Sequence, residues 1–349
     1  MDEVSETSAT DGGEGRDPPS RPRGRKVTVG RIALAWAVSL GLLAWLTRHV
    51  QWGRLGEAVR PTPWWIWLAA AAGIGASYGF RALRIHAELR RRRPLTVGQC
   101  LRVMLLHNAA VNVLPMRGGE AAYPLLLQRQ LAVPLGQGVA SLVWIRAQDA
   151  LVLAIAVVLF LPGLPLALRA AGAVAMLVAV LGLIRLVQRV AARRGAGVEG
   201  PRLVRAALAA LSALADAPRH GWAGWLFCAG SWAVKLASLG LLLTSLSGLA
   251  PLDALGGALG GELAGVLPIQ GPAGFGTYEA GVWAGASLQG GSALAVAAPA
   301  VAVHLLSLLM ALAGGALALA FAPASSTPLA GSGAPPVAVP TIDRSDHHA

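Results

Sequence analysis

Long apolar stretches recur along this 349-residue chain and constrain its fold more than any other feature. A helix of about 20 apolar residues crosses the roughly 30 Å of hydrocarbon in a bilayer. Most of the stretches are apolar on every face, whereas a surface helix of a soluble protein keeps a polar face. We therefore predict an all-α polytopic integral membrane protein. Its six full spans are predicted at 31–47, 63–80, 137–161, 168–187, 222–246 and 292–321.

The segments that flank this membrane domain have a different composition. Residues 1–30 are polar and residues 323–349 are rich in Pro, Ser and Ala, which is typical of disordered tails. The membrane domain is therefore expected at 31–322. Its first apolar stretch begins late and lacks an A-x-A cleavage site, so we interpret it as a retained span and not a signal peptide.

Positive charge is concentrated between the apolar stretches. Lys and Arg number 29 against 17 Asp and Glu, and the formal net charge is +12. No nucleic-acid-binding motif occurs, so the positive charge is assigned to membrane topology and anionic headgroups, and no nucleic-acid partner is expected. The basic segments 21–26, 81–93 and 189–205 are expected in the cytoplasm. This predicts a multi-pass protein of the cytoplasmic membrane with a cytoplasmic N-terminus. Arg81 and Arg84, at the end of the second span, are interpreted as interface anchors or as headgroup-binding residues.

Patterns typical of disulfides, metal sites and catalytic sites are missing from the sequence. Cys100 and Cys228 are far apart and both lie in apolar surroundings, which argues against a disulfide. Acidic residues are too scattered to form a metal cluster, so neither a metal nor another cofactor is expected. The nucleophile, zinc-protease and P-loop motifs are all missing, and no extramembrane segment is long enough for a catalytic domain. These observations argue against an enzyme.

Two apolar segments, 97–136 and 254–288, are interrupted in similar ways. Each contains Val-Leu-Pro, then a Gly-containing stretch, then Glu. Proline and glycine break helices, and bare backbone at membrane depth is tolerated only inside protein or along a watery cavity. Two full spans already return the chain to the cytoplasm between 81–93 and 189–205. The segment 97–136 must therefore enter and leave on that side.

If the C-terminal tail is cytoplasmic, the same count of spans predicts that the segment 254–288 enters and leaves on the outer side. The two segments are thus predicted as re-entrant broken helices, which makes about eight membrane segments in all. Opposed broken helices are typical of inverted-repeat transporters, whose substrate sites lie between the two breaks. The sequence therefore predicts an inverted repeat with a site at its centre.

Ionisable residues within membrane segments are candidate site residues because burying them is costly. Arg117 and Glu120 stand three apart in the first broken segment. They pair with each other on one helical turn, or Arg117 binds a phosphate through its planar fork while Glu120 orients it or carries a proton. Both interpretations remain open at this point.

The second broken segment carries Glu279 after three glycines, Gly271, Gly274 and Gly276. The glycine loop either presents backbone N–H groups to an anion or forms a tight turn that requires positive φ. The two interpretations are compatible with each other.

Other polar residues within the apolar stretches have structural interpretations. Arg146 and Asp149 stand three apart on the third span, which predicts a structural ion pair. Lys235 is a candidate partner for Glu262. Asn108 and Asn112 share a helix face and suit interhelical hydrogen bonding. His107 and His304, each a single histidine in an apolar stretch, are assigned to the core.

Three motifs resemble those of the lysylphosphatidylglycerol synthase transmembrane region, also called the flippase-like domain family. The likeness extends over about residues 30–322. An N-x-x-P-x-R-x-G-E pattern is matched by Asn112, Pro115, Arg117, Gly119 and Glu120. An R-x-x-D pattern is matched by Arg146 and Asp149. A P-G-G-x-G-x-x-E pattern is matched by Pro272, Ala273, Gly274, Gly276 and Glu279. Two departures stand out, because Ala273 replaces a usual Gly and Tyr123 replaces a common basic residue.

This resemblance implies an eight-segment membrane domain that handles lipids or lipid-linked head groups, often as a translocase. The aminoacyl-transferase domain of the full synthases is not expected here, so the chain is not expected to make lysylphosphatidylglycerol. The leading hypothesis is a flippase-like translocase for an anionic or polyprenyl-linked membrane lipid. Its phosphate-binding residues would be Asn112, Arg117, Gly271, Gly274 and Gly276, and its gating or proton-coupling residues Glu120 and Glu279. The alternative is a membrane enzyme or an accessory subunit, partnered with an enzyme of lipid-linked glycan or phospholipid biosynthesis.

Overall fold

The described part of the chain is helical, and no strand occurs in it. The computed structural model describes residues 52–90, 94–114, 119–194, 221–266 and 272–321. The predicted first span and both predicted tails lie outside these residues. The described helices are α1 (Trp52–Val59), α2 (Trp64–Leu89), α3 (Val97–Val113), α4 (Ala122–Leu131), α5 (Leu135–Phe160), α6 (Leu166–Arg194), α7 (Ala223–Ser247), α8 (Pro251–Val266), α9 (Thr277–Leu288) and α10 (Ala293–Ala320).

Three of the described helices are long and apolar enough to cross a membrane. They are α5, α7 and the Ala295–Ala320 stretch of α10. Each is within a few residues of a predicted span. Helix α2 is also 26 residues long, but Arg81, Arg84 and Glu88 in its last third reduce its apolar character. Helix α6 contains a shorter apolar stretch, Leu166–Val180.

The segment 254–288 forms two short helices, α8 and α9, which we call the second hairpin. The helices have 16 and 12 residues. At 1.5 Å per residue they reach about 24 and 18 Å, less than the roughly 30 Å of a full span. Facing glycines join them antiparallel, because a Cβ on Gly260 would collide with the Gly281 carbonyl and one on Gly285 with the Gly256 carbonyl. Small residues allow this backbone contact.

The segment 97–136 forms a matching pair, α3 and α4, which we call the first hairpin. Its helices have 17 and 10 residues. A Cβ on Gly119 would collide with the backbone of Val111, so the second helix folds back on the first. The first helix of this hairpin ends at Val113, and that of the second hairpin ends at Val266. Each of these valines begins a Val-Leu-Pro repeat, so the repeated tripeptide marks both breaks.

The remaining helices bring the two hairpins together. Helix α2 packs along α7, where a Cβ on Gly230 would lie 3.3 Å from the Phe80 ring. Helix α10 packs on α3 through Gly314 and Gly315. Helix α3 also contacts the 3₁₀ turn Pro272–Gly274 at the break of the second hairpin. Polar groups from both hairpins therefore lie in one region of the protein.

Candidate functional site

A buried ion pair joins α2 to α5. Arg84 Nη1 lies 2.7 Å from Asp149 Oδ1, and Nη2 lies 3.5 Å from Oδ2. The two residues are 4% and 6% exposed. Asp149 also accepts the indole N–H of Trp232 at 3.0 Å and the thiol of Cys228 at 3.4 Å, both from α7. One carboxylate is therefore held by side chains from two neighbouring helices.

Arg146 connects this pair to the first hairpin. Its Nη2 and Nε donate to the two oxygens of Glu120 at 2.5 and 3.1 Å, a fork that suits a carboxylate. Its Nη1 also lies 3.3 Å from Asp149 Oδ2, so the residues of the predicted structural ion pair are brought together. Glu120 further lies 3.9 Å from Nε2 of His107. Arg117, the other proposed partner of Glu120, lies outside the described residues.

A second group of charges joins α7 to the second hairpin. Lys235 Nζ lies 2.6 Å from Glu262 Oε2, and this pairing was predicted. The ring of Trp232 contacts two cations, because the Arg81 guanidinium carbon and Lys235 Nζ lie 5.2 and 5.6 Å from its centroid. Trp232 therefore contacts both the Asp149 and the Lys235 groups of charges.

Glu279 bridges the second hairpin and α10. One oxygen lies 2.7 Å from Nδ1 of His304, and the other accepts the Gly276 N–H at 2.6 Å. The His304 ring stacks on Tyr278 with centroids 4.5 Å apart. The carboxylate thus caps the start of α9 and orients a buried histidine at the same time.

Comparison with known proteins identifies the family of the chain. A family model described as the lysylphosphatidylglycerol synthase TM region matches residues 32–315. The chain belongs to this family. The match includes both hairpins and every ion pair described above. No curated protein and no solved structure matches the chain significantly. The family supports a multi-pass membrane protein of lipid metabolism or transport.

The glycine loop of this family member adopts the tight-turn geometry. Gly274 and Gly276 have φ of 87° and 82°, values that favour glycine. Ala273, where the family usually has Gly, also has a left-handed φ of 50°. The N–H of Gly276 is bonded to Glu279, so this amide is not free for an anion. Gly271 lies outside the described residues.

Two residues of the first hairpin stabilise it internally. Asn112 donates from Nδ2 to the carbonyl of Asn108 at 2.8 Å. Tyr123, the second departure from the family, is buried, and its hydroxyl lies 3.1 Å from that of Ser141 on α5. Its ring meets His107 edge-on, with centroids 5.3 Å apart. Where the family often has a cation, this chain has a packing contact.

Several partners in this site were not predicted from sequence. Arg84 was interpreted as an interface anchor or a headgroup-binding residue, and His304 was assigned to the core with no partner named. Trp232 was not singled out at all. Among the described residues, no group of three or more His, Cys, Asp and Glu could hold a metal ion. The arrangement suits the binding of anions and the exchange of ion-pair partners.

Proposed function

We propose that this chain moves a lipid, or a lipid-linked head group that carries an anionic group, between the leaflets of the cytoplasmic membrane. The proposal depends on one observation, the chain of ion pairs that runs from the partly exposed Glu120 and Arg146 to the buried Asp149 and Arg84. Ionisable groups in membrane segments are costly and mark substrate or ion pathways.

The two broken hairpins support the same proposal. Broken helices surround the substrate sites of many transporters, where they expose backbone groups and helix ends. Arg117, Asn112, Gly271 and Gly274 are proposed to bind a phosphate, and Gly276 joins them only when Glu279 releases its amide. Glu120 and Glu279 are proposed as gating or proton-coupling groups. Each of these carboxylates already has a partner to release, Arg146 for Glu120 and His304 for Glu279.

A groove beside the first hairpin suits an amphiphilic substrate. It has a volume of about 600 Å³ and lies where α3, α4 and α10 meet. Leu101, Leu105 and Leu317 supply apolar walls, and Arg102 and Arg129 supply positive charge. An anionic lipid offers the complementary combination of acyl chains and a charged head group. We propose this groove as the path by which the lipid reaches the ion pairs.

The test is a leaflet-exchange assay in proteoliposomes. Fluorescent phosphatidylglycerol is placed in both leaflets, and a membrane-impermeant reductant reports how fast the inner-leaflet probe becomes accessible. We expect the wild-type protein to accelerate exchange. Losing a charge-assisted hydrogen bond should slow exchange about tenfold or more in Glu120→Gln and Glu279→Gln. Exposed Glu57 on α1 provides the matched control, Glu57→Gln.

The assay also separates the alternatives. Exchange no faster than in protein-free vesicles, with phosphatidylglycerol and with a polyprenyl phosphate, contradicts translocation of these lipids. Mass spectrometry of the recovered lipid shows whether it has been covalently changed. A changed lipid would favour the alternative, an enzyme of lipid-linked glycan or phospholipid biosynthesis.

A further inference from the structure

Arg81 differs from its neighbours Arg84, Arg146 and Lys235 because it has no carboxylate partner among the described residues. Its Nε donates to the Ser231 hydroxyl at 3.2 Å, and its guanidinium lies over the Trp232 ring. In the part of the chain that the structure describes, no carboxylate oxygen lies within 4.0 Å of it. Both Nη groups of this half-buried side chain are therefore available for a ligand.

The nearby carboxylates are already engaged by other cations. Asp149 is bound by Arg84 at 2.7 Å, and Glu262 by Lys235 at 2.6 Å. Glu120 is bound by both donors of the Arg146 fork. Moving any of them to Arg81 would break a pair and leave another charge without a partner.

Glu88, the acidic residue of α2, is too distant to pair with Arg81. Glu88 is seven residues beyond Arg81, which places it about 10 Å further along the helix axis. Arg84 lies between them, one turn from each. A carboxylate on the same helix therefore does not neutralise Arg81.

An interior guanidinium without a counter-charge is costly, and an anionic ligand removes that cost. We propose that Arg81 binds the phosphate of the transported molecule through its two Nη groups, with Trp232 fixing the plane of the guanidinium. A planar fork matches two oxygens of one phosphate, and the ring contact holds the fork in place. Lys235, whose ammonium lies 5.6 Å from the same ring, adds positive charge to the site.

This inference deepens the proposed function by assigning a phosphate ligand to a residue outside both hairpin motifs. The phosphate belongs either to a lipid head group or to a soluble molecule. Both use the same guanidinium contact, so the experiment includes one probe of each kind.

The test measures ligand-induced thermal stabilisation of the purified protein in a neutral maltoside detergent. The probes are phosphatidylglycerol, inorganic phosphate and diacylglycerol, which has no phosphate. We expect phosphatidylglycerol to raise the melting temperature of wild-type protein and diacylglycerol to leave it unchanged. Arg81→Gln should weaken phosphatidylglycerol binding about tenfold or more, and Arg81→Lys, which keeps charge without the fork, should weaken it less.

A measurement without ligand distinguishes binding from a structural role. Because no described carboxylate pairs directly with Arg81, Arg81→Gln should leave the melting temperature of the lipid-free protein unchanged or raise it. The matched control is Arg54→Gln, at an exposed arginine of α1, which should keep the full response to phosphatidylglycerol.

The outcomes separate this inference from the proposed function. A stabilisation by inorganic phosphate alone that depends on Arg81 supports the site and assigns it to a soluble phosphate. Binding that Arg81→Gln leaves unchanged overturns the inference, even where leaflet exchange is observed. Arg81-dependent binding without leaflet exchange leaves this site in place and counts against translocation only.

Discussion

Trp232 on α7 donates its indole N–H to Asp149 on α5 at 3.0 Å. The same ring contacts Arg81 and Lys235 through its face. Asp149 belongs to the ion pairs that reach the first hairpin, and Lys235 pairs with Glu262 of the second. Trp232 thus connects the ion pairs that reach the first hairpin to the Lys235–Glu262 pair of the second.

Removing only the indole N–H tests this connection. Trp232→Phe keeps an aromatic face for the cations but removes one donor to a buried carboxylate. We expect a loss of about 1–3 kcal/mol in unfolding free energy, because a charged acceptor loses a hydrogen bond. Thermal unfolding in detergent measures it. Trp283→Phe, at a half-exposed indole on α9, is the control. Equal melting temperatures for the two variants would contradict the role of the hydrogen bond.

The Arg84–Asp149 pair should be more sensitive to the loss of one partner than to the loss of both. Asp149→Leu leaves the guanidinium of Arg84 buried without its counter-charge, which costs about 3–5 kcal/mol. Arg84→Met leaves Asp149 with Trp232 and Arg146, so its cost should be smaller. The double variant should recover part of the stability of Asp149→Leu, since neither charge of the pair remains. Melting curves of the wild type and the three variants in detergent measure this, and strictly additive losses would contradict the coupling.

Three of the six predicted spans are confirmed, because length and hydrophobicity alone identify them. The predicted span 137–161 corresponds to Leu135–Phe160, and 222–246 corresponds to Ala223–Ser247. Membrane thickness fixes these lengths whatever the helices contact. The breaks were predictable for a similar reason, because proline and glycine act locally on the backbone.

The partners of the charged residues were less predictable because they come from distant helices. Spacing along the chain indicates which residues share a helix face, so Arg146 and Asp149 were predicted to pair. The shorter contact of Asp149 is with Arg84, 65 positions away. His304, 25 positions after Glu279, follows the same pattern. Its surroundings are apolar in sequence, and no local signal identifies a carboxylate as its partner.

The glycines between α8 and α9 should tolerate no side chain where the backbones touch. In Gly260→Ala the new methyl would collide with the Gly281 carbonyl, so the helices must separate. Overpacking of this kind costs about 1–3 kcal/mol. Gly265→Ala, on the same helix, has nothing within 4 Å of the new Cβ and is the matched control. Thermal unfolding of both variants decides the question, and an equal response would contradict the close contact of the helices.

Replacing Ala273 with glycine should increase the stability of the protein. It has φ 50° and ψ 22°, a left-handed conformation that costs an alanine about 1–2 kcal/mol. Glycine loses more entropy on folding, so Ala273→Gly should gain only about 1 kcal/mol or less. Ala280→Gly, inside α9, should instead lose about 1 kcal/mol. The melting temperature should rise in Ala273→Gly and fall in Ala280→Gly. A lower melting temperature in Ala273→Gly would contradict the left-handed turn.

The inverted repeat predicts that the two hairpins enter from opposite membrane faces. Arg129 lies in the last turn of α4, and Leu288 is the last residue of α9, so a cysteine at each reports the side of its hairpin ends. The native cysteines are buried and are first replaced by alanine. Intact spheroplasts treated with an impermeant maleimide should label Leu288→Cys and should label Arg129→Cys only after permeabilisation. Leu164→Cys, in the predicted outer loop between α5 and α6, is the control for labelling from outside. If both hairpin positions react from the same face, the two segments are not inverted with respect to each other, and a site between opposed breaks is ruled out.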